Sequence, residues 1–283
     1  MNKFIDFLTA RRFLGFWLAL TLTFTVIYSL LGLQEAFASN YLVQDDARQH
    51  VFWMRRFLNP RLFPEDLIAN YFQSVAPWGY QFVYWLPAQF GIDPLFWNKL
   101  LPVGLNLLTA SFCFGVCLEL FPIPAAAFSS SPLLMQSLGF TAALVSGTQK
   151  AFIYPLFLAF FYFLLKKRLL ATLIVIALQG LFYPQLLLIT SVFLFLVFFT
   201  FKNKKIALTS SLNQRWFSSL GLIVAIIIMF PFALNSNTFA PIITPEQAQQ
   251  LPEFFAGGRS RFFENEQFVL LSSECMIAEL KPH

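Results

Sequence analysis

"LFWNKLLPVGLNLLTASFCFGVCLEL", residues 95–120, decides how the rest of the chain is read. It holds two charged residues, Lys99 near one end and Glu119 near the other, with no polar face between them. At about 1.5 Å of rise per residue, a helix of this length crosses the ~30 Å hydrocarbon core of a bilayer. The whole chain repeats the pattern. Of its 283 residues, 58% are hydrophobic and 12% charged, where a soluble domain carries about 25% charge. Thirty-eight are phenylalanine, and the mean hydropathy is +0.66. Backbone groups inside a bilayer must pair within their own segment, so such runs are read as helices. The expected fold class is all-α: a polytopic membrane helix bundle.

Working outward from 95–120, further apolar runs cover 13–33, 122–142, 151–165, 169–183, 184–201 and 216–234. Pro184, which has no N–H, divides the long stretch 169–201 into a hairpin. The expectation is about seven spans. With the N-terminus cytoplasmic, Arg11, Arg12, Lys166, Lys167, Arg168, Lys202, Lys204, Lys205 and Arg215 all fall inside, as the positive-inside rule requires. "AFAS" (36–39) resembles a signal-peptidase site, but the apolar run before it is longer than a signal core, so an uncleaved first helix is expected. The expected localisation is integral and multi-pass in a membrane. Two regions are expected: 1–234, a bundle that includes an external loop 34–94, and 235–283, an external tail read as the start of a truncated segment. The net charge of +5 sits in short clusters between apolar runs, with no nucleic-acid-binding motif. Cys113 and Cys117, spaced i,i+4 on an apolar run, are read as packing residues.

Segment 34–94 is far longer than a helix connection requires. It contains Glu35, Asp45, Asp46, Glu65, Asp66 and Asp93. "DDARQHVFWMRRFL" (45–58) is expected to form a helix with Asp45 as N-cap and Asp46 in the first turn, where acids suit the helix dipole. Asp46 and His50, four apart, share a face. "PEDLIANYFQSV" (64–75) and "WGYQFVYWLPAQF" (78–90), the latter rich in Trp and Tyr, are expected to lie in the membrane interface. Capping accounts for one of the two adjacent acids. A second carboxylate beside His50 suits a general base acting on a hydroxyl. Arg48, Arg55, Arg56 and Lys150 are candidate phosphate ligands, with a solvated face, or for Lys150 a snorkelling side chain, as the plainer reading. No spaced metal-ligand set is present, so no metal site is assigned. A divalent cation at Asp45 and Asp46 is the one cofactor to test.

An N-in helix followed by "QDDARQHVFW" (44–53) in a large external loop, surface helices and then many spans resembles the GT-C integral-membrane glycosyltransferases. The longer stretch "DDARQHVFWMRRFLNPRLFPEDLIANYFQSVAPWGY" is similar to uncharacterised bacterial, notably cyanobacterial, membrane proteins of that type. The resemblance implies a sugar moved from a polyprenyl-phosphate donor to an acceptor at the external face. Asp45 or Asp46 would serve as the catalytic base. Arg48, His50, Arg55, Arg56 and Lys150 would bind substrate. Membrane lipid is an implied partner, and a bacterial inner (plasma) membrane is the implied location. The alternatives are a non-catalytic membrane subunit or a lipid or solute transporter. The apolar runs hold few ionisable residues, which argues against a charged ion pathway.

Overall fold

A computed structural model describes residues 7–39, 43–139, 146–202, 205–209, 212–235 and 244–252. Expectations resting on Lys3, on residues 140–142, on Lys204 and on the tail from 253 lie outside these residues. The chain divides into two compact units, Met1–Pro231 and Phe232–His283. In the second, the described helix Pro245–Gln249 is opened by a reciprocal cap. Thr244 N donates to Gln247 Oε1 (2.9 Å) and Gln247 N to Thr244 Oγ (3.4 Å).

The first unit is helical apart from one hairpin, consistent with the all-α class. Its helices are α1 (Leu14–Ala36), α2 (Asp45–His50), α3 (Leu67–Val75), α4 (Trp78–Ala88), α5 (Pro94–Leu120), α6 (Pro124–Gly139), α7 (Ile153–Leu165), α8 (Leu169–Phe182), α9 (Gln185–Leu196) and α10 (Leu212–Asn235). Strands β1 (Phe199–Lys202) and β2 (Lys205–Leu208) pair antiparallel between α9 and α10, with Phe199 opposite Leu208 and Lys202 opposite Lys205. Short 3-10 helices, Phe52–Phe57 and Gln149–Phe152, follow α2 and precede α7.

α5 is the central helix, packed on α1, α6 and α7. Its start is fixed locally: the Asp93 carboxylate accepts from Leu95 N (2.7 Å), and Pro94 occupies the first turn, where no amide is needed. α1 and α6 run antiparallel to it, and α7 runs parallel. On α1, Ser29 meets Asn106 (3.1 Å), while Trp17 and Phe114 share a core cluster one helix length away. On α6, the Ser131 hydroxyl donates to Ala110 O (3.2 Å). On α7, Phe163 packs on Phe112, and Lys166 pairs with Glu119 at 2.6 Å. In an apolar medium such polar contacts hold helices together where hydrophobic burial does not, at about 0.6 kcal/mol each.

α7 ends in a Schellman motif. Arg168 N donates to Phe163 O and Lys167 N to Leu164 O, both at 3.0 Å, with Lys167 in the left-handed region (φ 54°) that usually holds glycine. α8 and α9 form a tight hairpin around Tyr183–Pro184. The buried Gln179 amide donates to Leu156 O on α7 (3.3 Å) and accepts from Thr190 on α9 (2.7 Å). α10 closes on this hairpin, where Gly180 lies so near Ile228 that a Cβ would collide with it.

Several expectations change. The run 184–201 is not one helix: α9 stops at Leu196, and the aromatic, β-branched sequence Phe199-Thr200-Phe201 turns into a strand. "DDARQHVFWMRRFL" breaks at Val51 into an α-helix and a 3-10 helix, so that Val51, Trp53 and Met54 are all buried. α3 begins at Leu67, with Asp66 as its cap (2.8 Å to Ala69 N), rather than at Pro64. Among the described residues two helices are long and apolar enough to cross a membrane, Arg11–Gln34 and Pro94–Leu120. The apolar helical stretches Gln149–Leu165, Leu169–Phe182, Gln185–Leu196 and Arg215–Pro231 are shorter than the ~20 residues of a full span.

Candidate functional site

Segment 43–93 caps one end of the bundle, where α1 finishes and α5 and α7 begin. Its core is aromatic. Trp53, Tyr80 and Tyr84 are fully buried, with Ala47, Val51, Met54, Ala69 and Phe152 around them. Along α4, Tyr80, Tyr84 and Ala88 repeat every four residues and face inward. Trp78, Phe82 and Phe90 face out, Trp78 being 83% exposed.

α2 stands on this core through Ala47. Its N-cap is Gln44, whose side-chain oxygen accepts from Ala47 N (3.1 Å), and not Asp45. A cap needs an extended backbone before the first turn, and Gln44 has it (φ −60°, ψ 144°). Asp45 and Asp46 therefore both sit inside the first turn, facing the positive end of the helix dipole. Asp45 is exposed, and Asp46 is half-buried.

Asp46 has a partner 104 residues away. Lys150 Nζ donates to its Oδ2 at 3.2 Å. Lys150 belongs to the turn Gln149–Phe152, which is rigidly held. The Tyr84 hydroxyl donates to Gly147 O (2.7 Å) and lies 3.0 Å from Asn98 Oδ1. Gly147 N donates to Asn98 O (3.1 Å), and Ser146 Oγ to Asn98 Oδ1 (3.3 Å). Glycine is required at 147, because a Cβ would stand 2.7 Å from Tyr84 Oη. On the other flank Phe152 stacks on Phe182 at 4.5 Å. Burial pushes the phenols of Tyr80 and Tyr84 above their ordinary range, so both stay protonated.

His50 completes the cluster. Its ring meets Phe72 edge-on at 5.0 Å. Burial pushes its pKa down, the Asp46 carboxylate pulls it up, and the Lys150 ammonium adds to the lowering.

The expected arginines are spent elsewhere. Arg55 binds Asp93 through Nε (3.0 Å) and Nη2 (2.6 Å), tying the 3-10 helix to the cap of α5. Arg56 donates to Leu62 O, Phe63 O, Asn70 Oδ1 and Gln73 Oε1. It thereby holds the 59–66 loop, where Phe63 has φ 54°. Arg48 reaches back to Val43 O (3.2 Å). The structure thus brings together Asp46, His50 and Lys150, sets Asp45 beside them on α2, and commits Arg55 and Arg56 to the fold. Tyr84, Asn98 and Gly147, which place Lys150, carried no sequence signal beyond the polar start of "SGTQK".

A divalent cation does not fit this arrangement. Asp46 faces an ammonium, and among the described residues no three His, Cys, Asp or Glu side chains converge as ligands. No family model matches the chain, and neither a curated protein nor a solved structure matches it.

Proposed function

We propose that this chain is a multi-pass membrane protein of the GT-C type, which moves a sugar from a polyprenyl-phosphate donor to a hydroxyl acceptor at the external face. The Asp46–Lys150 pair carries this reading. It joins a carboxylate suited to a base with a cation suited to a phosphate, from two parts of the chain, at one end of an apolar bundle.

Two observations support the bilayer. α9 and α10 expose continuous apolar side chains, among them Leu188, Val192, Phe195, Ile226 and Phe230, each more than half exposed. Soluble monomers rarely present such faces. The outward aromatic face of α4 suits the headgroup layer. The short α8–α9 hairpin leaves the sidedness unchanged. Whether it crosses fully or dips and returns, the residues after α9 come back to the side of Lys166–Arg168, so the charge pattern of the longer spans is kept.

In the transfer step the acceptor oxygen attacks the anomeric carbon, and its proton passes to the Asp46 carboxylate. The bond from that carbon to the phosphate oxygen breaks, its electron pair leaving on the polyprenyl phosphate, whose charge Lys150 receives. A donor phosphate that draws Lys150 away also frees Asp46 as base, so binding and activation are linked. Asp45, exposed on the first turn, positions the acceptor.

The test uses the full chain in membranes with a radiolabelled polyprenyl-phosphate sugar. Asp46→Asn should abolish transfer, and Lys150→Gln should weaken donor binding. Full transfer in both variants ends the catalytic reading. The non-catalytic subunit remains the second reading, because Arg55 and Arg56 serve the fold and leave Lys150 as the cation against Asp46 among the described residues. It predicts that the wild type neither binds the donor nor transfers its sugar.

A further inference from the structure

The opposite end of the bundle gathers the basic residues. Arg11 stands just before α1, and Lys166 follows α7, where a hydrogen bond to Glu119 holds its pKa above the usual range. The turn between α7 and α8 adds Lys167 and Arg168. All four cations are exposed. The nearby acid, Glu119, is taken by Lys166 at 2.6 Å, and among the described residues no acid pairs with Lys167 or Arg168. Lys167 occupies the left-handed position of the Schellman motif, where glycine costs least and lysine is strained. A basic side chain is kept where the backbone argues against one.

A groove of about 360 Å³ opens beside this turn. Leu108 and Phe112 of α5, Pro155 and Phe163 of α7, and Ala171 and Ile174 of α8 line it, with no polar lining. Phe163 and Ala171 are each three residues from the basic turn, so that end of the groove lies within one helical turn of the cations. Leu108 and Ile174 are about half exposed, which opens the groove sideways to the bundle surface.

We infer that this groove and turn form a binding site for an anionic phospholipid of the bilayer, with an acyl chain between α5, α7 and α8 and the headgroup phosphate against Lys167 and Arg168. Charge selects the occupant. The groove alone accepts any hydrocarbon chain, while the two unmatched cations at its mouth, Lys167 and Arg168, select a negative headgroup. Its headgroup end lies at the far end of α7 from Lys150, the partner of Asp46, so the bound phosphate is separate from the proposed transfer centre. It rests on the reading that these helices lie in a bilayer.

The experiment is native mass spectrometry of the full chain, released from mixed micelles with equal phosphatidylglycerol and phosphatidylcholine. The wild type should retain phosphatidylglycerol at least about tenfold over phosphatidylcholine. The double variant Lys167→Asn/Arg168→Gln keeps the turn, because asparagine tolerates the left-handed conformation, and should bring the ratio near one. Ala171→Trp fills the groove and should lose both lipids. Equal retention by the wild type, or an unchanged ratio in the double variant, overturns the inference. Carbonate washing of membranes separates the two readings. A chain that stays in the membrane without a phosphatidylglycerol preference refutes this site alone, whereas a chain that washes out refutes the bilayer reading as well.

Discussion

The two ends of the bundle are built on opposite principles. At one end, segment 43–93 and the Gln149–Phe152 turn are bound by buried aromatics, a tyrosine–asparagine network and committed arginines, and Arg48, Arg55, Arg56 and Lys150 are matched to Asp46, Asp93, side-chain amides or backbone carbonyls. At the other, Arg11, Lys166, Lys167 and Arg168 are exposed, and among the described residues Glu119 is the acid paired with one of them. The first end spends its charges on internal geometry, as a preorganised site must. The second leaves them facing outward, as suits a surface that meets a charged layer.

Four changes test that contrast. The largest effect falls on Asp46: Asp46→Asn should lower sugar transfer by about 10²–10⁴-fold, the usual contribution of a general base. Asp45→Asn, at the exposed position, should lose less. Equal losses in a transfer assay would remove the distinction that Lys150 draws between the two acids. Next is Gly147→Ala. Its methyl group collides with Tyr84 and Leu101, so it should destabilise the chain by about 1–3 kcal/mol. Thermal unfolding in detergent reads this, and a wild-type midpoint would show that the turn holding Lys150 is soft. At the basic end the sign reverses. Lys167→Gly relieves a left-handed lysine and should stabilise by about 0.5–1 kcal/mol, so a lowered midpoint breaks the comparison.

The smallest effect is the pH response of His50. Its folded pKa lies below the ordinary 6.5, so the unfolded chain binds the proton first as the pH falls. Any stability tied to neutral His50 is full above pH 6.5 and is lost as the pH drops through the folded value. His50→Gln should flatten that slope in acid-titrated unfolding.

The sequence made the long elements legible and hid the pairings. Asp93-Pro94 followed by an apolar run announces α5 almost to the residue, because cap, proline and hydrophobicity agree. The break at Pro184 is equally plain. Hydropathy could not tell α9 from β1, since phenylalanine serves both, and the alternation Phe199-Thr200-Phe201 was the signal available. Gln44 was passed over because aspartate is the better cap in general, and here the backbone places the aspartates one step inside. The Asp46–Lys150 pair was beyond reach, since no local rule links residues 104 apart. Arg55 and Arg56 read equally as phosphate ligands or fold-holding groups until Asp93 and the 59–66 loop supply their partners.

The Gln179 amide bears on how the chain is assembled. It sits inside an apolar helix with its two partners on different neighbours, Leu156 and Thr190. Until α9 arrives, its carbonyl oxygen lacks the Thr190 hydroxyl, and that polar atom is costly to strand in hydrocarbon. α8 therefore gains little by entering the membrane ahead of α9. On the proposed bilayer reading, the two helices should leave the insertion machinery as one hairpin, after α7 is in place, and a chain arrested between residues 182 and 190 should stall as an unstable intermediate open to membrane proteases.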